Sequence, residues 1–187
     1  MSERPAPGRT PDPDGSGSSG SFSIAATTRI GVSVTVAPLA DIRGNLATLL
    51  GQALLDLLGM FYPPSLGKKV NVAVTELIQN VMANALDPDS SLGLELCVDD
   101  DALIVRVRNK ASPAQFEAVR ARVDALARCP EPKRLFTDTL RARRQDGLKG
   151  GLGLMRLVAE NRFRLGVSYE QEHLTMQATF PLLRGTP

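Results

Sequence analysis

In the stretch "TELIQNVMANALD", Thr75 to Asp87, Glu76, Asn80 and Asn84 fall at i, i+4 and i+8. On a helix that spacing places all three on one side. Thr75 and Gln79 flank them, and Glu76 is the only ionisable side chain between Lys69 and Asp87. Solvated helix faces are usually rich in Lys, Arg and Glu, whereas Asn is a poor interior helix former. A plain solvated face is therefore the weaker reading. Two amides a turn apart beside one carboxylate point to a face covered by a loop or a ligand. An amide oxygen suits a hard cation that keeps several waters, and the carboxylate one turn earlier is placed to take a proton from a hydroxyl.

A second stretch, "GLKGGLGL" from Gly147 to Leu154, runs into the helical pattern "LMRLVAE". Clustered glycines allow positive φ and close approach to a phosphate. Exposed N–H groups at a helix start attract anions, and Lys149 adds a point charge. The spacing fits neither G-x-x-x-x-G-K-[ST] nor G-x-G-x-x-G after a strand, so neither common nucleotide fingerprint applies. A glycine loop alone is also consistent with a flexible turn. Its value comes from the amide helix that precedes it.

The elements that must position these residues follow from periodicity. "RIGVSVTV" alternates at Ile30, Val32, Val34 and Val36, as a strand does. "PLADIRGNLATLLGQALLDLLGM" has Leu39, Ile42, Leu46, Leu49, Leu50, Leu54 and Leu57 at helical spacing, with Pro38 in the first turn. The amide helix is expected from about Ser65, burying Val70, Val74, Leu77, Val81 and Ala85. "LGLELCV" and "ALIVRVR" read as a hairpin turned by "DDD". Ser112 caps a helix with Pro113 in its first turn and Phe116, Val119, Val123 and Leu126 inward. A shorter helix spans about Pro132 to Arg144, and another runs to about Asn161. A last hairpin, "FRLGVSYE" and "LTMQATFPL", places His173, the only histidine, in its turn. The expected fold class is α/β (α+β): a two-layer sandwich of a mostly antiparallel, mixed sheet of about five strands covered by helices.

Composition narrows the function classes. The chain has 187 residues, 43% hydrophobic, with a net charge of +2, which fits one globular domain. A Pro-, Gly- and Ser-rich segment at 1–22 reads as a disordered tail, leaving 23–187 as the domain. No apolar run nears the roughly 20 residues that span a bilayer. Without Trp, and with 4% aromatics, a stacking platform for nucleic acid is not expected. Cys97 and Cys129 are too few for a disulfide framework and wrongly spaced for zinc, consistent with a reducing cytoplasm. Charge is uneven. From Arg120 to Arg156 there are ten Lys or Arg against four acidic residues, a cluster able to steer an acidic partner or phosphates.

Together "ELIQNVMANA" and "GGLGLMRLV" resemble the N-box and G2 box of GHKL (Bergerat-fold) ATPases, a superfamily that includes histidine kinases, anti-sigma-factor kinases and gyrase. The two intervening helices, "PAQFEAVRARVDALA" and "EPKRLFTDTLRARR", make the layout similar to the SiaB-like bacterial Ser/Thr protein kinases. The likeness spans about Ile30 to Leu182. It implies an ATP- and magnesium-dependent kinase of a partner-switching system that phosphorylates a small STAS-like protein. By the same resemblance Asn80 would hold magnesium, Glu76 would act as base, and Asn84 would lie beside the nucleotide. Lys149, Gly150, Gly151, Gly153 and Leu154 would form the lid around the phosphates.

Two positions depart from that pattern. Where most relatives have D-x-G-x-G against the adenine, this chain reads "VRNKASP". Asn109 stands either in place of the Asp or as an ordinary strand-end turn residue. Ala83 replaces a basic residue common near the phosphates. A sensor histidine kinase is excluded, because His173 lies in a turn rather than on a dimerising helix. The remaining alternatives are a catalytically degenerate binding module and an anti-sigma-like factor that sequesters a sigma factor. The leucine-rich helix from Leu39 to Leu58 is a candidate homodimer or partner surface, or plain core.

Overall fold

The computed structural model describes residues 29–42, 44–84, 89–99, 101–145 and 151–182. The expected tail, Ala85, Lys149 and Gly150 lie outside them. Five strands form one sheet: β1 (Ile30–Val36), β2 (Leu92–Val98), β3 (Ala102–Lys110), β4 (Arg164–Glu170) and β5 (His173–Pro181), in the order β1-β2-β3-β5-β4. Five α-helices accompany it: α1 (Leu46–Gly59), α2 (Pro64–Asn84), α3 (Pro113–Arg128), α4 (Pro132–Gln145) and α5 (Gly153–Ala159).

Strand period separates the two faces of the sheet. Leu92, Leu94, Leu96 and Val98 of β2, Leu103, Val105 and Val107 of β3, and Leu174, Met176, Ala178 and Phe180 of β5 are all buried. They meet Val70, Val74, Leu77, Ile78 and Val81 of α2, which lie in the same core. The opposite face is polar. There Arg106 Nε donates to Gln177 Oε1 at 2.7 Å and pairs with Glu95 at 3.6 Å. One face covered by helices and one left polar is the two-layer α+β arrangement expected.

Every pairing in the sheet is antiparallel, so the expected mixture is corrected. β3 and β4 run parallel, but they do not touch. The connection through α3, α4 and α5 carries β4 to the sheet edge, and β5 returns into the gap between them.

The leucine-rich segment is also not one helix. A short 3₁₀ turn, Leu39–Asp41, follows Pro38, and α1 starts afresh where Asn45 Oδ1 accepts from Thr48 N at 3.1 Å. Gly44, at φ 96°, makes the break, since that conformation is disfavoured in any other residue. Leu49, expected on the inward stripe, is 67% exposed.

The two tight hairpins turn by different means. At β2–β3, Asp99 Oδ1 accepts from the N–H groups of Asp101 at 3.0 Å and Ala102 at 2.8 Å, which holds its carboxyl below the usual range. At β4–β5, Gln171 and Glu172 take positive φ. His173 is the first residue of β5 rather than a turn residue, and its ring nitrogen Nδ1 bonds Gln171 O at 2.7 Å. No helix among the described residues is long and apolar enough to cross a membrane.

Candidate functional site

Asn109 is not a turn residue. It lies within β3, paired with Leu92 of β2 and Leu174 of β5, on the face that packs against the helices. Only 5% of it is exposed. Its Nδ2 donates to Lys110 O at 2.8 Å, while its buried Oδ1 accepts no hydrogen bond among the described residues. Leaving such an acceptor short in a protein interior costs about 1–3 kcal/mol.

That residue lines a cavity of about 80 Å3 between the end of α2, β3, β5 and the start of α3. Asn80, Asn84, Gln115, Arg122 and Met176 line it too. Asn80 Nδ2 donates to the Met176 sulfur at 3.1 Å, which leaves the amide oxygen as the group free to meet a ligand. Asn84 Nδ2 donates to the main-chain oxygen of Asn80 at 2.6 Å. The structure therefore brings Asn80, Asn84 and Asn109 to one place.

The roof of the cavity is set by Gln115. Its Oε1 accepts from Ser112 N at 2.9 Å while Ser112 Oγ accepts from Gln115 N at 3.2 Å, a capping box that starts α3. The Gln115 Nε2 also donates to Asn84 O at 2.6 Å, which fastens α3 to the last turn of α2.

Glu76 faces a different neighbour. Its Oε1 accepts from Arg156 Nη1 of α5 at 2.6 Å. The Glu76 side chain is 13% exposed against 45% for Arg156, so the carboxylate is the enclosed member of the pair. Gly153 begins α5 directly against it, and a Cβ at that position would overlap the Glu76 carboxylate. Gly151, at φ 74°, passes close to the Arg143 guanidinium, which would lie 3.3 Å from an added Cβ. Gly151 and Gly153, two of the glycines expected around phosphates, thus bring the backbone against side chains of the protein itself. Leu154 is half-buried and packs on the core.

One helical face earlier, Lys69 Nζ donates to Asn161 O, just beyond α5, at 2.9 Å and sits 4.3 Å from the Phe180 ring centre. Burial, and then the nearby charge of Arg162, lower its pKa.

Sequence reasoning missed Met176, Gln115 and the partnership of Arg156. Gln115 was legible, because S-P-A-Q has capping-box spacing. Met176 was legible as inward-facing, but its bond to Asn80 joins residues far apart in the chain. No cluster of three or more His, Cys, Asp or Glu occurs among the described residues. A cation at Asn80 would therefore draw most of its ligands from phosphates and water. The chain matches no protein-family model and no curated protein.

Proposed function

We propose that the protein is an ATP- and magnesium-dependent serine/threonine kinase of a cytoplasmic partner-switching system, acting on a small STAS-like protein. The reading rests on the resemblance of its two motifs to the GHKL and SiaB-like kinases. One observation carries it further: the buried, unsatisfied Oδ1 of Asn109 shares a cavity with the amides of Asn80 and Asn84.

An acceptor held in that way is complementary to an exocyclic amine such as that of adenine. Asn80, with its nitrogen engaged by Met176, offers an oxygen to magnesium. When bound, magnesium and ATP supply charge neutralisation and the transferable phosphoryl group. Lys149, Gly150 and Gly151 would lie against the phosphates. Glu76 would receive the hydroxyl proton, with Arg156 fixing its orientation. A purine is larger than the cavity, so its entry requires α3 to yield where Gln115 bonds Asn84.

A second reading, a binding module without turnover, is favoured by the Glu76–Arg156 pair, which occupies the carboxylate that catalysis needs. Titration calorimetry separates the two. The kinase reading expects magnesium-dependent ATP binding that is lost in Asn80→Ala and weakened in Asn109→Leu. Absence of binding to the wild-type protein at millimolar ATP would remove it and leave the binding module.

A further inference from the structure

Between the start of α4 and the end of α5 lies a broad hollow of about 470 Å3. That volume falls within the usual range for ligand sites, about 300–1,000 Å3. Pro130 from the α3–α4 connection, Pro132 at the start of α4 and Val158 of α5 give it an apolar floor, while Glu131, Lys133 and Arg162 stand among its other walls. Arg134 lines it too, but Glu131 at 3.4 Å and Asp138 at 3.9 Å already engage that side chain.

Lys133 and Arg162 differ from Arg134. Neither makes an ion pair among the described residues. Arg162 also holds φ 61° just beyond α5, where a chain leaving a helix usually has Gly. A non-glycine residue is disfavoured in that conformation, and the result is a guanidinium beside the hollow. Arg162 lies close enough to Lys69 for the two to act as like charges, and in the hollow itself Lys133, Arg134 and Arg162 outnumber the one lining carboxylate, Glu131, which Arg134 engages.

We propose that this hollow docks an acidic segment of a protein partner, with an apolar side chain on the proline and valine floor and a neighbouring carboxylate between Lys133 and Arg162. Charge complementarity selects the occupant. The segment from Arg120 to Arg156 carries ten basic against four acidic residues, while the rest of the chain has twelve against sixteen. Nucleic acid fits less well, because two cations around an apolar hollow make neither a phosphate track nor a stacking platform. The proposal rests on the part of the functional reading that invokes a protein partner and not on nucleotide chemistry.

The test is fluorescence anisotropy on the full chain, without nucleotide, using a labelled peptide of Glu-Leu-Ser repeats. Glu-Ser-Ser and Lys-Leu-Ser peptides and a single-stranded oligonucleotide serve as controls. The Glu-Leu-Ser probe should bind saturably, and binding should weaken about tenfold in Lys133→Glu/Arg162→Glu and more in high salt. Lys133→Glu alone should weaken it less. That variant keeps its fold, because a carboxylate in the first turn of α4 suits the helix dipole.

Equal binding of Glu-Ser-Ser, tighter binding of the oligonucleotide, or indifference to both variants would each overturn the proposal, as would no saturable binding of the Glu-Leu-Ser probe at millimolar concentration. None of these outcomes bears on ATP binding, which the calorimetric experiment reads separately.

Discussion

The two flanks of α2 are finished in opposite ways. Toward α5, Lys69 and Glu76 both meet partners: the carbonyl of Asn161 and the guanidinium of Arg156. Toward α3, the amides of Asn80 and Asn84 border a cavity whose most buried polar atom, Asn109 Oδ1, has none among the described residues. The difference follows from the cost of burial. A charge enclosed without a partner is costly, so the protein itself supplies one to each group: a counter-charge to Glu76 and a carbonyl to the half-buried Lys69. A neutral amide short of one hydrogen bond costs far less, and a fold can carry that deficit. A ligand that supplies the missing bond gains from it. On the proposed function, the α3 flank is where a ligand would gain most, and the α5 flank is built to hold.

Asn109→Leu tests the open flank and carries the largest expected effect. Leucine has the same branched shape, with two somewhat larger methyl groups in place of the amide oxygen and nitrogen, and its strand neighbours are Leu92 and Leu174. Removing the unsatisfied acceptor should raise the unfolding free energy by about 1 kcal/mol, read as a higher melting temperature without ligand. ATP affinity should fall about 10- to 100-fold, the value of one buried hydrogen bond to a ligand. Gain in stability with loss of binding would mark a site kept at the expense of the fold. Loss of both would mean that Asn109 is a structural residue and that the two flanks do not differ as described.

How much of this contrast was legible depends on the range of each interaction. The strands, the α3 cap and the amide face were readable, because alternation, S-P-A-Q and i, i+4 spacing are local signals. The same signals placed Asn80 and Asn84 together correctly. What was not legible was non-local. "VRN" ends an alternating run, so Asn109 read either as a residue of the adenine site or as a strand-end turn; β5 pairs with β3 through Lys110 and draws Asn109 into the sheet, which removes the turn. Glu76 read as an available base because the 80-residue gap to Arg156 carries no sequence signal. The long leucine pattern hid the break at Gly44, since α1 resumes with its apolar stripe nearly in phase.

Gly153→Ala tests the closed flank. Its new methyl group would overlap the Glu76 carboxylate, which the bond to Arg156 holds in place. Overpacking of this kind costs about 1–3 kcal/mol, measurable by urea unfolding. Adding Glu76→Ala should recover most of the loss, giving a coupling energy that the two single variants do not predict. Arg156→Met should cost less, about 1 kcal/mol, because water reaches the half-exposed guanidinium and part of what it provides. If Gly153→Ala were neutral, α5 would be loosely seated and the flank not closed.

Lys69→Met is the smallest and most selective test, because it changes the pH dependence more than the stability. The methionine side chain keeps the packing on Phe180 but gives up the bond to Asn161 O. In the folded protein, burial and then Arg162 hold the Lys69 pKa below its ordinary value of 10.5. Between the folded and ordinary values the unfolded chain binds more protons, so stability contributed through this group rises with pH across that window. Wild-type protein should therefore gain on Lys69→Met as pH is raised toward 10.5, with the difference flat near neutrality. Chemical unfolding at a series of alkaline pH values reads this directly. A difference that stays constant would show Lys69 to be as well hydrated in the fold as outside it, and the enclosure of the α5 flank would then end at Glu76.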